Sequence, residues 1–225
     1  HPVAAVAAIS QAVATEALKL IKVDYQVLPW AISVKDAMKP GAAPLHDHVK
    51  FDGKPSNIAG TLAHKKGDVE AGFKEADVIV ERSFETEAVH QGYIEPHACL
   101  VSVVDGKATI WSSSQGQFMV RAMTAHLTGI PQSDIRAITA ETGGAFGGKT
   151  IVYLEPLATL LAKKSGRPVK MVMTREEVMR ATGPTSGSKS TVKIGATKDG
   201  KIVAAHGTFY LQAGAFTGSP IRGAA

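Results

Sequence analysis

Apolar residues near the start of the chain follow two different spacings. Over residues 9–21 they recur every three or four positions, which predicts a short amphipathic helix that ends near Ile21. Over residues 23–27 they alternate with polar residues, as in a half-buried strand, and Pro29 follows the run. The chain is therefore predicted to open with an αβ unit.

A long stretch rich in glycine and proline follows. Residues 40–67 carry four glycines, three prolines and few large apolar groups, which predicts a linker that runs over a surface. Beyond it, residues 67–76 are a helix candidate, and residues 78–88 alternate as a strand. The linker therefore divides the chain into a small front piece and a larger back piece.

Two β-hairpins in the back piece are marked by Asp-Gly dipeptides. Runs rich in β-forming residues flank Asp105-Gly106 and Asp199-Gly200, and this dipeptide favours the positive φ angles of tight turns. Between the hairpins, helical and strand-like spacings alternate. The predicted elements are hairpins over 100–111 and 191–207, helices over 118–127 and 151–164, strands over 135–140 and 169–174, and a helix that begins near Arg175. The expected fold class is α+β, with a mixed α/β back piece.

Composition narrows the classes of function. The 225 residues are 44% hydrophobic and 20% charged, as in ordinary folded globular proteins. The net charge of +5 comes from cations interspersed with acids rather than gathered in a stripe, so no nucleic-acid partner is expected. No apolar run approaches the ~18 residues of a membrane span, so no membrane partner is expected. The single cysteine, Cys99, favours a reducing, cytoplasmic location and cannot hold an iron-sulfur cluster by itself.

A glycine-rich loop carries the strongest chemical signal. Four of the six residues from Gly143 to Gly148 are glycine, so the backbone can approach a ligand closely and aim its amides at an anion. Residues 143–150 also match the G-x-x-x-x-G-K-[ST] pattern of nucleoside-triphosphate-binding loops. Such proteins also need an apolar strand that ends in a magnesium-binding Asp, and the strand predicted downstream ends in Thr174-Arg175. On the loop alone, a phosphate loop, another anion-binding loop and a plain glycine-rich turn all stay open.

Four motifs in a fixed order surround and include this loop. They are VHQGYIEPHA at 89–98, WSSSQGQ at 111–117, GIP at 129–131 and GGAFGGK at 143–149. The series resembles the molybdenum-binding subunit of the molybdenum hydroxylases, the xanthine dehydrogenase and aldehyde oxidase family. The start of the chain is similar to the end of that family's preceding small domain, so the resemblance covers essentially all 225 residues.

The resemblance implies a domain organisation. Residues 1–38 correspond to the tail of the family's small N-terminal, hammerhead-like domain, and residues 39–77 to a linker. Residues 78–225 correspond to the first molybdopterin-binding domain, which is expected to be incomplete at its C-terminal end. The chain is therefore expected to be a fragment of a subunit several times longer.

The resemblance also implies roles for individual residues. Gln115 matches the glutamine whose side-chain amide hydrogen-bonds an oxo ligand of molybdenum. Gly144, Ala145, Phe146 and Gly147 match the loop that lies along the molybdopterin, with Phe146, like Gln115, beside the metal's oxygen ligands. The metal itself is held by the dithiolene of the cofactor, so no cluster of His or Cys ligands is required.

Two departures from the family pattern narrow the expected function. Thr150 stands where xanthine-oxidising members have a glutamate that contacts the purine, which favours an aldehyde or an N-heteroaromatic or other aromatic substrate. No segment matches the glutamate that serves the family as catalytic base, so the fragment alone is expected to be inactive. The whole enzyme would hydroxylate a small molecule with oxygen from water. Its partners would be the remainder of the large subunit and the domains or chains that carry iron-sulfur clusters and FAD.

Two other functions stay open at this point: a nucleoside-triphosphate-binding protein that uses Gly143 to Thr150, and a noncatalytic scaffold module. Glu95, which lies near His90 and His97 in the sequence, is expected to make structural hydrogen bonds rather than to bind a metal. Glu141 is either a carboxylate beside the cofactor or an ordinary loop charge.

Overall fold

The structure, a computed structural model, describes residues 3–215. Its helices and strands follow one another as α1 (Gln11–Leu18), α2 (Val34–Ala37), β1 (Lys50–Phe51), β2 (Lys54–Pro55), α3 (Val69–Glu75), β3 (Val78–Thr86), β4 (Ala98–Val104), β5 (Lys107–Ser112), α4 (Gln117–Thr128), β6 (Ile135–Thr139), α5 (Glu155–Ser165), β7 (Val169–Val172), α6 (Arg175–Ala181), β8 (Ser188–Ala196) and β9 (Ile202–Leu211). A 3-10 turn over Gln132–Asp134 precedes β6.

The contacts within the chain define two compact units. Within the described residues, the first combines residues 3–26 with 90–184, and the second combines residues 27–89 with 185–215. The domain boundaries predicted after residues 38 and 77 come from the family resemblance and not from contacts within the chain. They stay a prediction.

The first unit is built on a mixed four-stranded sheet in the order β6-β5-β4-β7. The predicted hairpin of β4 and β5 is confirmed, with Asp105 and Gly106 at φ 48° and 78°. β5 and β6 run parallel, and α4 forms the crossover that parallel pairing requires. Val101 and Ile110 pair across β4 and β5 and are fully buried, so the core lies on this sheet, where α5 contributes Ala158.

The ends of the helices in this unit follow local rules. Gly129 ends α4 and Gly166 ends α5, both with left-handed backbone, which a residue without Cβ adopts at little cost. Thr174 begins α6 with a capping box in which its side chain and that of Glu177 satisfy each other's backbone N–H groups. The helix predicted to begin near Arg175 is confirmed.

The second unit contains an antiparallel three-stranded sheet in the order β3-β8-β9. Helix α3 lies on one face, where the Phe73 ring is in close contact with Gly195 and Lys193 Nζ lies 4.9 Å from the centre of that ring. Directly paired residues share a face of a sheet, so the register places a set of apolar side chains on the other face. We call this the apolar sheet face. Its large exposed apolar residues are Val78, Val80, Phe84, Ile194, Phe209 and Leu211, and the same register also places Arg82 and Ser190 on it.

Several predicted elements differ in the structure. The strand predicted over 23–27 is absent, and Tyr25 and Val27 are 74% and 82% exposed, so the prediction of an opening αβ unit is wrong. Alternation supplies an apolar face, but a strand also needs a neighbour for its backbone groups, and no described strand pairs with this segment. The first helix is shorter than predicted, and α5 begins only at Glu155, followed by Pro156, a residue that suits the first turn of a helix.

The second predicted hairpin has a longer loop than its Asp-Gly dipeptide suggests. Thr197 N–H donates to the Lys201 carbonyl at 3.0 Å and closes a loop in which Gly200 has a φ of 88°. The pairing of β8 with β9 is as predicted.

Candidate functional site

The glycine-rich loop connects β6 to α5 in the first unit. Gly144, Phe146 and Gly147 have left-handed backbone, with φ of 95°, 50° and 88°. Ala145 is buried, whereas the side chain of Phe146 is 72% exposed. A non-glycine residue with positive φ costs about 1–3 kcal/mol and persists only where surrounding contacts impose it. The loop is therefore held in its shape by its neighbours.

Gln115 lies against the end of this loop, just after β5. Its backbone N–H donates to the Lys149 carbonyl at 2.9 Å, and its side-chain Oε1 accepts the Lys149 N–H at 3.2 Å. Because a backbone N–H can only donate, the oxygen of the Gln115 amide must face the loop. The Nε2 group donates to no residue within the described range 3–215, so it is the end of the amide left for a ligand.

A buried ion pair joins the loop to the first sequence motif. Lys149 Nζ lies 2.6 Å from Glu95 Oε2, with the lysine side chain fully buried and that of Glu95 30% exposed. The same carboxylate oxygen accepts the Gly143 N–H at 2.8 Å. Glu95 thus makes the structural hydrogen bonds predicted for it.

Tyr93 supports the loop from beneath. It is 1% exposed, and a Cβ placed on Gly148 would lie 2.7 Å from its Cε1, so only glycine fits there. Its hydroxyl lies 2.7 Å from His97 Nε2 and 2.8 Å from Thr182 Oγ1. Burial lowers the pKa of His97 to about 4, with a further contribution from the charge of Lys149, and burial raises the pKa of Tyr93. Both side chains are therefore neutral near pH 7.

Three residues of the site were not singled out from the sequence. In the sequence, Lys149 stands out only as part of a possible phosphate loop, and Tyr93 only as one residue of the first motif. Arg175 had no signal of its own, yet its guanidinium donates to the Tyr93 carbonyl at 3.0 Å and to the Ile94 carbonyl. Glu95 and Lys149 carry opposite charges and lie in two separate motifs. This is the feature of the sequence from which their pairing could be predicted.

Direct ligation of a metal by the protein requires several His, Cys, Asp or Glu side chains that meet at one point. Within residues 3–215, no group of three or more His, Cys, Asp or Glu side chains is placed to hold a metal ion. His97 instead packs between aromatic rings, with the centre of the Tyr153 ring 4.7 Å away. None of the helices in the same range is long and apolar enough to cross a membrane.

The donors at this site fit a flat, anionic cofactor that brings its own metal ligands. The backbone at Gly147 is open, since nothing lies within 4 Å of the position that a Cβ would take. Backbone amides in a left-handed run and the Nε2 of Gln115 are neutral donors, and such groups suit an extended anion. The ammonium of Lys149 is occupied by Glu95 and is not among these donors.

Comparison with known families decides what this geometry belongs to. Residues 50–223 match the family model described as a molybdopterin cofactor-binding domain, which is more than half of the 225-residue chain. The chain belongs to the molybdopterin cofactor-binding domain family. This membership confirms the resemblance, and with it the molybdopterin cofactor that the resemblance implies.

Relatives of this family member are longer proteins. It is 36% identical to a probable xanthine dehydrogenase subunit of Bacillus subtilis over 203 residues, which cover 90% of this chain and 26% of that protein. It is 32% identical to the nicotinate dehydrogenase large molybdopterin subunit of Eubacterium barkeri over 216 residues, which cover 95% of this chain and 49% of that protein.

A solved structure supports the same assignment. The aldehyde oxidoreductase of Desulfovibrio desulfuricans matches with a TM-score of 0.78 and 28% identity over 90% of this chain and 22% of that one. This match confirms the mixed α/β fold class. The chain spans about a quarter of the length of the first relatives that it matches, at 26% for two of them.

A nucleoside-triphosphate loop is not supported in this family member. In such a loop the lysine reaches the phosphates of the nucleotide, whereas Lys149 is fully buried and paired with Glu95. The loop is also not followed directly by a helix, since α5 begins at Glu155.

Proposed function

We propose that this chain is part of the large, molybdenum-binding subunit of a molybdenum hydroxylase. The observation that carries the proposal is the Gln115 amide, whose oxygen is held by the Lys149 backbone beside the glycine-rich loop. When bound, molybdopterin would supply the metal centre at which a substrate carbon is hydroxylated with oxygen from water and two electrons are removed.

The residues of the chain would bind and orient that cofactor. Gln115 would donate from Nε2 to an oxo ligand of the metal, since its Oε1 is already engaged. Gly144, Ala145 and Gly147 would present backbone along the pterin, where a larger side chain would separate the amides from the ligand. Phe146, with its ring 72% exposed, would lie against the oxygen-ligand side of the metal and exclude water there.

The proposed substrate is an aldehyde or an N-heteroaromatic or other aromatic compound. The relatives are named for xanthine, nicotinate and aldehyde, so their names do not select one substrate. Thr150 has no carboxylate to contact a purine, and its hydroxyl donates to the Gly147 carbonyl at 3.1 Å. This use of the side chain within the loop supports a non-purine substrate.

The proposed partners are the remainder of the large subunit and the domains or chains with iron-sulfur clusters and FAD. The relatives extend well beyond the matched region, and the apolar sheet face of the second unit is a surface that such a remainder could cover. Cys99 is buried, and burial raises its pKa, so it is unsuited to ligate a cluster. A reducing, cytoplasmic compartment is proposed on the same single cysteine.

Metal and pterin content test the proposed function. The longer subunit that contains this chain, co-expressed with the machinery that matures the cofactor, is expected to hold about one molybdenum per chain and to release a fluorescent pterin on oxidation. Gly147→Val, which adds a branched side chain at a φ of 88° on the open backbone, is expected to lower both contents. Gly106→Val, with a similar φ of 78° in an exposed turn, is the matched control.

The competing functions predict different results in the same experiment. A folded longer subunit that matures without molybdenum or pterin would support a noncatalytic scaffold and contradict the proposal. Binding of ATP or GTP that Lys149→Ala abolishes would support a phosphate loop. The 225-residue chain alone is expected to retain little cofactor.

A further inference from the structure

We propose that Glu95 and Lys149 are positioning residues that hold the glycine-rich loop and Gln115 in one arrangement for cofactor binding. The inference rests on the proposed function, and neither residue is assigned a contact with cofactor or substrate. The contacts run from Gly143 through Glu95 and Lys149 to Gln115, so they link the two segments of the predicted site.

The buried position of Lys149 makes it depend on a partner of opposite charge. Its side chain is fully buried, and the one described group of opposite charge at its ammonium is Glu95 Oε2, 2.6 Å away. The same nitrogen lies over the Tyr93 ring, 5.0 Å from its centre, which adds a weaker attraction. A buried ammonium is unfavourable unless it is paired, so Glu95 fixes where the Lys149 side chain lies.

Glu95 in turn holds the start of the glycine-rich loop. Its Oε2 accepts the Gly143 N–H at 2.8 Å, and its own N–H donates to the Gly143 carbonyl at 3.2 Å. A Cβ on Gly143 would lie 2.9 Å from the Cβ of Glu95, so the two backbones are in close contact. The first glycine of the loop is therefore fixed through both its donor and its acceptor.

Lys149 holds Gln115 through the groups of its backbone. The Lys149 carbonyl accepts from the Gln115 N–H at 2.9 Å and from Ser114 Oγ at 3.2 Å, and the Lys149 N–H donates to Gln115 Oε1 at 3.2 Å. The orientation of the Gln115 amide thus depends on where the Lys149 backbone lies. That backbone is in turn anchored by the buried ion pair.

Glu95 and Lys149 differ in exposure, so replacing one is expected to destabilise the protein more than replacing the other. When Lys149 is replaced, Glu95 can be hydrated, because 30% of its side chain is exposed. When Glu95 is replaced, the ammonium of Lys149 stays buried without a counter-charge. Glu95→Gln is therefore expected to lower the unfolding temperature more than Lys149→Met does, and the double variant should recover part of that loss.

Hydrogen exchange of the 225-residue chain tests the positioning role without any cofactor. In Lys149→Met, and in the double variant, the amides of residues 141–150 and 113–117 are expected to exchange at least about tenfold faster, while those of β4 keep their rate. Glu176→Gln is the matched control, since it breaks the exposed pair of Glu176 with Arg180. A uniform increase over the whole unit, or no change at the two segments, would overturn the proposal.

Molybdenum content of the longer subunit provides the second readout. At equal folded fraction, Lys149→Met and the double variant are expected to hold less than about a third of the wild-type molybdenum, and Glu176→Gln the full amount. Full loading of both pair variants would overturn the positioning role. If the wild type holds no molybdenum, the proposed function fails, and the exchange rates still decide whether the two residues order the loop.

Discussion

At the scale of single residues, burial controls the protonation of His97. Its side chain is 5% exposed, contacts the Tyr93 hydroxyl at 2.7 Å and packs on the Tyr153 ring. Its pKa is lowered to about 4, mainly by burial, with smaller contributions in the same direction from the electrostatic interactions with Lys149 and His90 and an opposing one from Glu95. The folded protein therefore keeps this ring neutral at pH values where an exposed histidine is charged.

The lowered pKa predicts how stability depends on pH. In the unfolded chain His97 takes up a proton near pH 6.5, and in the folded chain only near pH 4. The contribution of His97 to the free energy of unfolding is therefore complete above about pH 6.5 and falls as the pH decreases toward 4. The full loss amounts to about 3 kcal/mol of unfolding free energy. The free energy of unfolding can be measured by urea denaturation at a series of pH values between about 4 and 7. Plotted against pH, it should have a shallower slope for His97→Gln than for the wild type. The exposed His64→Gln should keep the wild-type slope, and an unchanged slope in His97→Gln would contradict the prediction.

The residues of the site differ in how far the sequence predicted them. Gln115 and the residues of the loop came from motifs, because a family resemblance carries roles position by position. The burial of Lys149 could not be predicted in this way, since a charged side chain is buried only where a distant partner meets it, and Glu95 is 54 positions away. Long-range pairing of this kind is set by the fold rather than by local pattern.

At the scale of elements, close packing explains why the loop ends in glycine. A Cβ on Gly148 would lie 2.7 Å from Tyr93 Cε1 and 3.1 Å from the Ala145 carbonyl oxygen. The ring cannot move away easily, because the hydroxyl of Tyr93 is held by His97 and Thr182. The end of the loop and the ring beneath it therefore form one packed element.

Alanine at Gly148 is predicted to destabilise the protein by about 1–3 kcal/mol, because the added methyl group overpacks the site. Gly60→Ala is the control, since nothing lies within 4 Å of its Cβ position, and its effect should stay within about 0.5 kcal/mol. Chemical denaturation of both variants measures the difference. Equal stability of the two would show that the Tyr93 ring yields without cost.

The elements themselves were predictable where local signals and pairing agreed. The hairpin of β4 and β5 combined alternation with an Asp-Gly turn, and its partner strand was adjacent in sequence, so it formed as predicted. Residues 23–27 had alternation without a neighbouring strand, and no described strand pairs with them. Alternation therefore predicts which face a strand would bury, whereas pairing decides whether the strand forms.

At the scale of the whole molecule, the second unit leaves an apolar surface in water. Phe84 and Phe209 of the apolar sheet face are 58% and 64% exposed, although α3 lies on the opposite face of the same sheet. Clusters of large exposed apolar groups mark surfaces that another chain or domain covers. The proposed remainder of the large subunit is the occupant we assign to it, because the matched region covers only 26% of the Bacillus subtilis relative.

Two adjacent residues of β9 separate this assignment from its alternatives. Phe209 lies on the apolar sheet face and Thr208 on the opposite one, and both are exposed. In the 225-residue chain, Phe209→Asp and Thr208→Asp should each change the unfolding free energy by less than about 1 kcal/mol, because either carboxylate meets water. In the longer subunit, Phe209→Asp should cost several kcal/mol, since its charge would be buried without a partner, whereas Thr208→Asp should not. If the longer subunit tolerates both substitutions equally, the assignment is contradicted. If sedimentation shows that the 225-residue chain is a dimer and that only Phe209→Asp dissociates it, the face belongs to a contact with a second copy instead.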